Sequence, residues 1–368
     1  MNFAVTEEQQ QLAESLQRLL EGANDFESRR KRLRLSPPDR LALWPQFAEL
    51  GVIAAAFDEA HGGFAGDART VALVLAALGQ SLAVEPYLSC AVIAGHILQN
   101  SSSPLAGRLI EELVAGQVIC VLAHDAGSDP FAAPGVTYTK GDDGGILNGT
   151  VNCVRHADVA TGFLVTASDG QETSIHWVPR DTAALSVTSY RLIDGAGGGD
   201  LTLRSVRVPV SATLQFELGA TQVLHQALER GLLGLAAEAA GIVGALNRAT
   251  FAYLANRKQF GVPLASFQAL QHRTADMFIA AEEITAAVNY AIDALEKSPR
   301  AVRSAATCAA KVVADSGGRR VGHEAVQLHG GMGVSDELNI SHYARRLAAI
   351  RAELGSADTH RLRFSALQ

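Results

Sequence analysis

A chain of 368 residues that is 48% hydrophobic and 19% charged has material for two or three packed units, and its apolar residues are spread too evenly for long disorder. The net charge of −7 argues against nucleic acid as a partner. Four cysteines (Cys90, Cys120, Cys153, Cys308), with no C-x-x-C and no histidine at ligand spacing, signal neither a disulfide framework nor a metal site.

The opening MNFAVTEEQQ is acidic and polar rather than basic and then apolar, and no apolar run reaches about 18 residues. These features predict a reduced, cytoplasmic protein without membrane insertion. Thr6 and Gln9 stand at capping-box spacing ahead of Leu12, Leu16, Leu19 and Leu20, which share one face of a first helix. The basic run SRRKRLR (28–34) reads as a solvated face of a helix or loop in preference to a phosphate contact. Helical patterns continue through RLALWPQFAELGV, ARTVALVLAALGQSLA, LSCAVIAGHILQN and PLAGRLIEELVAG, so residues 1–117 are expected to form a helical N-terminal domain.

From 118 to 215 the texture changes to short β-branched segments separated by Gly, Asn and Asp, among them VICVLAH, GGILNGTVNCV, GFLVTAS and LTLRSVRVPV. A β-barrel or β-sandwich domain is expected there. DGAGGGD (194–200) lacks the Lys and Ser or Thr of a phosphate loop and is read as a mobile hairpin loop. Helical periodicity returns over 216–368, with long segments near 219–255, 264–297, 299–328 and 337–352 that suit a four-helix bundle.

Two motifs in the last region carry chemistry. In ANRKQFGVPLASFQALQH (255–272), Arg257 at a helix end stands beside Gln259 and Phe260, joining a forked cation, an amide and an aromatic surface that together suit a pyrophosphate. In AVQLHGGMGVSDELNISHYARRL (325–347), Gln327 precedes Gly330 and Gly331, where backbone without a Cβ lets a flat ring approach. Taken singly, these are a capped helix end and a glycine helix stop.

With DEAHGGFAG (58–66) and the helix–β–helix order, the two motifs make the chain resemble the acyl-CoA dehydrogenase family over nearly its whole length, especially its short small-subunit members. The resemblance implies FAD as cofactor and an acyl-CoA as substrate. It implies that Arg257, Gln259, Phe260, Gln268, Gln327 and Gly331 hold the ADP half of a neighbouring chain's FAD, so that a dimer is the smallest flavin-binding unit, commonly paired into a tetramer. It further implies electron-transferring flavoprotein as the electron acceptor, and substrates such as dicarboxylic, aromatic-chain or steroid-derived CoA thioesters.

In that family a carboxylate takes the α proton while the flavin receives the β hydride. The usual base directly precedes a glycine, and the matching residue here is Leu354. The other family position, on the first bundle helix, matches Gly231, with Glu229 on a different face. Glu353 is one residue displaced, and a displacement of about 1 Å already costs about 100-fold in rate, so a surface or structural role is expected for it. Where the family sets a tryptophan and a Thr or Ser against the flavin ring, this chain has Cys153 and Arg155. Gly127–Asp129 resembles a flavin-facing turn but is equally an Asx or Ser turn.

The expectation is therefore a small subunit that lacks its own base, clamps FAD for a homologous large subunit and works as part of a heterotetramer. Two other readings stay open. One is a self-sufficient homotetramer using Glu353, Glu229 or Asp358 as base; the other is a non-redox structural or acyl-CoA-binding protein.

Overall fold

The computed structural model describes residues 5–64 and 66–367; the first four residues of the opening segment, Ala65 of the 58–66 motif and Gln368 lie outside them. Helix α1 (Glu7–Ala23) begins at the expected capping box: the Thr6 hydroxyl accepts from the Gln9 backbone N–H at 3.2 Å, and the Gln9 side chain accepts from the Thr6 N–H at 3.1 Å. Leu16 and Leu20 of its apolar stripe are buried.

After α2 (Phe26–Arg32), RLALWPQFAELGV does not form one helix. It splits into a 3-10 turn (Pro38–Leu41) and a short α3 (Trp44–Glu49), because Pro45 fits only a first helical turn and Gly51 takes a left-handed φ of 72°. Helix α4 (Ala68–Ser81) follows. LSCAVIAGHILQN becomes a π-helix (Tyr87–Ala94) running into α5 (Gly95–Gln99), and every residue of the π-turn except Ser89 is buried. Helix α6 (Pro104–Val114) starts on its proline.

The chain divides into two compact units, one of residues Arg30–Val71 and Val84–Gly231, the other of Met1–Arg29, Ala72–Ala83 and Leu232–Gln368. The first contains a seven-stranded mixed sheet made of β1 (Cys120–Ala123), β2 (Thr137–Gly141), β3 (Gly144–Arg155), β4 (Gly162–Ser168), β5 (Thr173–Pro179), β6 (Leu185–Arg191) and β7 (Gly197–Pro209). The strand order is β1-β4-β2-β3-β7-β6, with β5 on β4. Strands β1 and β2 pair in parallel with β4, and the remaining pairs are antiparallel. Val121, Leu147, Val151, Phe163, Val165, Val178, Leu201 and Val206 form its core.

DGAGGGD begins in the β6–β7 hairpin loop, as expected, but runs on into a strand. Asp194 is buried and caps Ala196 N–H at 3.1 Å, while Gly197–Asp200 already belong to β7. Gly197 is required by packing, since a Cβ there would lie 1.9 Å from the Asp158 carboxylate. That carboxylate is the buried partner of Arg40.

His176 on β5 is fully buried between the Ser174 hydroxyl (2.8 Å) and the Thr213 hydroxyl (3.0 Å), and burial pushes its pKa down to about 4. The unfolded chain binds that proton near pH 6.5 and the folded chain does not, so stability is full above pH 6.5 and falls as pH drops toward 4, by up to about 3 kcal/mol. Denaturant midpoints followed from pH 7 to 4.5 should drop steeply, and the slope should flatten in His176→Gln.

The second unit holds the bundle. Helix α7 (Ala220–Asn256), which enters this unit at Leu232, is followed by a hairpin of β8 (Lys258–Gln259) and β9 (Val262–Pro263), then α8 (Gln268–Lys297), α9 (Arg300–His329), α10 (Asn339–Ala352) and α11 (Ala357–Ala366). Helices α8, α10 and α11 all pack on α9. By length and composition α7 would cross a membrane, yet its most apolar window is 67% buried, as a bundle-core helix is.

Within this unit α4 and α7 cross backbone to backbone, since a Cβ on Gly241 would meet the Ala76 carbonyl oxygen at 2.0 Å and one on Gly79 the Glu238 carbonyl oxygen at 2.3 Å. Gly241→Ala should therefore cost about 1–3 kcal/mol, read as a lower unfolding midpoint. The basic run is also less solvated than expected. Arg29 is 2% exposed, with Nε donating to the Leu82 carbonyl at 2.7 Å and a terminal nitrogen 3.0 Å from His342 Nδ1.

Candidate active site

Arg257 directly follows α7, its N–H bonded to the Tyr253 carbonyl and its carbonyl to Leu264 N–H, both at 2.8 Å. These bonds close the β8–β9 hairpin around a two-residue turn, Phe260–Gly261, with φ of 54° and 83°. Positive φ at both positions is the hairpin turn whose twist suits the strands, and glycine normally serves it. Phe260 is strained there and also 92% exposed, touching Phe267 edge-on at 6.2 Å. A bulky aromatic that bears both costs presents open apolar surface on the outside of its own chain.

The other expected clamp residues share that character. Gln259, Gln268 and Gln327 are exposed, Gln268 opening α8 and Gln327 lying in the last turn of α9. A Cβ on Gly331 would meet nothing within 4 Å, whereas one on Gly333 would strike the Val326 carbonyl at 2.3 Å. Packing thus requires glycine at 333 but not at 331, which leaves a surface that a flat ring can approach. One unit displays a cation, three amides, an aromatic ring and open glycine backbone, a donor set that fits an adenosine diphosphate.

The base loop has a different character. Leu354 takes a left-handed φ of 55° followed by Gly355 at 93°, and its carbonyl accepts from His360 Nε2 at 2.8 Å. The carbonyl can only accept, so His360 carries its proton on Nε2 and its Nδ1 faces the Cys308 thiol at 3.7 Å. The Gly355 carbonyl accepts from Lys311 at 3.3 Å, and Lys311 is itself buried against Asp315 at 2.8 Å. Burial pulls Lys311 below the lysine range and pushes Asp315 above the carboxylate range, each opposed by the other's charge.

Glu353 is not a free base. Its carboxylate pairs with Arg346 at 3.0 Å, and Arg346 holds both oxygens of Glu238 at 2.6 Å. Glu238 and Arg346 are buried. Sequence reading missed this hub. Its signal was an acid, Glu238, set in the apolar run LGLAAEAAGIVGAL of α7, since a buried carboxylate requires a buried cation. Gly231 and Glu229, both buried in α7, belong to the other unit, whereas Asp358 is an exposed residue of α11 paired with Arg361 at 2.6 Å.

In the β domain a bulge between Val151 and Val154 sets Asn152 and Cys153, both exposed, opposite Asp200 of β7. Cys153 has a φ of 54°. Arg155 does not offer its guanidinium to an outside ring, because it is tied to the buried Asp194 at 2.8 Å. Asp125 and Asp129 each form an Asx turn, accepting from Gly127 and Phe131 N–H at 3.0 Å, so local turn geometry accounts for the Gly127–Asp129 segment.

The family models for the acyl-CoA dehydrogenase C-terminal and N-terminal domains match residues 219–366 and 6–117. A probable acyl-CoA dehydrogenase of Bacillus subtilis, YngJ, is 28% identical over 389 residues, covering 98% of each chain. Acyl-CoA dehydrogenase FadE27 of Mycobacterium tuberculosis is 28% identical over 369 residues, covering 97% of this chain and 96% of its own. Among solved structures, the ChsE4–ChsE5 complex of M. tuberculosis superposes with a TM-score of 0.91 at 26% identity, over 100% of this chain and 98% of that one. The steroid acyl-CoA dehydrogenase Tcur3481–Tcur3483 gives 0.90 at 28%, over 98% and 97%.

Proposed function

The chain belongs to the acyl-CoA dehydrogenase family, whose members bind FAD, and from that premise we propose that it is the subunit of a heteromeric acyl-CoA dehydrogenase that lacks a base of its own. The observation that carries this reading is the ion pair of Glu353 with Arg346, next to a leucine at the family base position. A carboxylate bonded to a buried guanidinium is committed to that ion pair instead of being set toward a substrate carbon. Leu354 accepts no proton.

FAD, when bound, supplies the hydride acceptor for the β carbon. Arg257 would grip the diphosphate through paired N–H donors, Phe260 would cover the adenine, and Gln259, Gln268, Gln327 and Gly331 would complete the cradle. The base and the flavin wall would come from a homologous large subunit, with two such pairs forming a heterotetramer in the cytoplasm. Electron-transferring flavoprotein would take the electrons. The likeness to a steroid acyl-CoA dehydrogenase and to a two-protein complex supports a bulky CoA thioester as substrate and a mixed assembly.

The test is co-expression with a homologous dehydrogenase that has an intact base. The chain alone should hold little FAD and leave a dye acceptor oxidised with any acyl-CoA, while the complex should be yellow and active. A stoichiometric yellow homo-oligomer that bleaches on adding an acyl-CoA would overturn the reading.

A further inference from the structure

The bulge on β3 has its own hydrogen-bond economy. Bulged residues leave the strand ladder, so their N–H groups are the donors a sheet edge has available for a ligand. Here both are taken by side chains of this chain. The Asn152 N–H lies 3.3 Å from Asp125 Oδ2, which also accepts from the Asn152 amide at 3.0 Å. The Cys153 N–H donates to Asp200 Oδ1 at 2.8 Å, and the Tyr190 hydroxyl donates to the same oxygen at 2.6 Å.

The caps suit these carboxylates better than a ligand would. The Gly127 N–H, followed by the Asn152 side chain and backbone, holds Asp125 below the ordinary carboxylate range, so it remains charged. The flanking guanidinium of Arg155 is neutralised by Asp194. The face around 152–155 therefore presents two carboxylates and a thiol, with the Asn152 and Cys153 N–H groups already bonded and the Arg155 guanidinium held by Asp194. An isoalloxazine edge carries carbonyl oxygens that need donors, and its reduced form carries negative charge that carboxylates repel. Cys153 also offers less stacking area than an aromatic ring.

We propose that Asp125 and Asp200 close this face to a flavin ring, so that the chain excludes a flavin of its own. The proposal rests on the subunit reading above and gives it a cause: the self-capped bulge makes the division of labour between the two chains one-sided.

The experiment measures iodide quenching of FAD fluorescence in the presence of the purified chain. With the ring excluded, the quenching slope does not fall below that of free FAD: it is unchanged if nothing binds, and rises if the ADP half alone engages the clamp and unstacks the ring. A slope clearly below that of free FAD would overturn the proposal, because it would mean a shielded ring. The double substitution Asp200→Ala with Cys153→Trp frees one donor and adds an aromatic surface, and is expected to lower the slope. A double variant that unfolds at the wild-type midpoint yet leaves the ring as exposed as wild type would remove Asp200 from the account. Co-expression separates the two ideas. A shielded ring in the lone chain together with a partner-dependent active complex sinks the exclusion alone; an exposed ring with no active complex sinks the subunit reading alone.

Discussion

Arg257→Ala is expected to strip FAD from the co-expressed complex, whereas Glu353→Gln leaves turnover nearly unchanged. The Arg257 side chain is exposed, and its backbone is pinned by the Tyr253 and Leu264 bonds, so truncation removes the guanidinium without unravelling the hairpin. Charge-assisted hydrogen bonds to a diphosphate contribute about 1.5–3 kcal/mol, a loss of about 10- to 150-fold in FAD affinity. Phe260→Ala should act in the same direction through lost stacking area, without changing charge. Flavin content after gel filtration and FAD titration of the apo-complex measure both. An Arg257→Ala complex that keeps full flavin, or a dead but fully flavinated Glu353→Gln complex, would reverse the assignment.

Much of the fold was legible because its signals are local. The Thr6–Gln9 capping box, the change of period near residue 118 and its return near 216 depend on near neighbours in sequence, and each element they announced is present. The breaks at Pro45 and in the π-turn after Pro86 were less legible, since packing sets where an apolar run changes its helical pitch. The residues proposed as a clamp lie in two contiguous motifs, so a sequence reading can single them out. The state of Glu353 could not be read that way, because its partner Arg346 is seven residues away and that arginine's other partner, Glu238, is 108 residues away. Nothing in EAAGI beyond one acid in an apolar setting tells which cation answers it. The Asp200 cap on the bulge was hidden for the same reason, as it depends on a strand register rather than a motif.

Arg346→Ala should be among the most destabilising single changes in the helical unit. Arg346 is 6% exposed and bridges Glu238, itself 7% exposed, to Glu353 at the end of α10. Removing it leaves Glu238 as a buried charge without its principal cation and sets two carboxylates around the gap, a loss of about 3–5 kcal/mol. The cost should come mostly from the stranded charge rather than from the pair's attraction. Combining Arg346→Met with Glu238→Leu should therefore recover most of the stability, because an apolar pair of similar volume replaces a buried ion pair at little cost. Glu353→Gln should cost only about 1 kcal/mol, since its carboxylate is partly solvated and the amide oxygen still accepts from Arg346. Urea unfolding of the three variants, with unchanged m-values, provides the comparison. A loss below about 1 kcal/mol for Arg346→Ala would show that the hub is not structural. Unchanged stability with lost turnover in Glu353→Gln would instead make Glu353 the base, because a carboxylate that matters to chemistry but not to folding cannot be one whose charge the fold has already committed to Arg346.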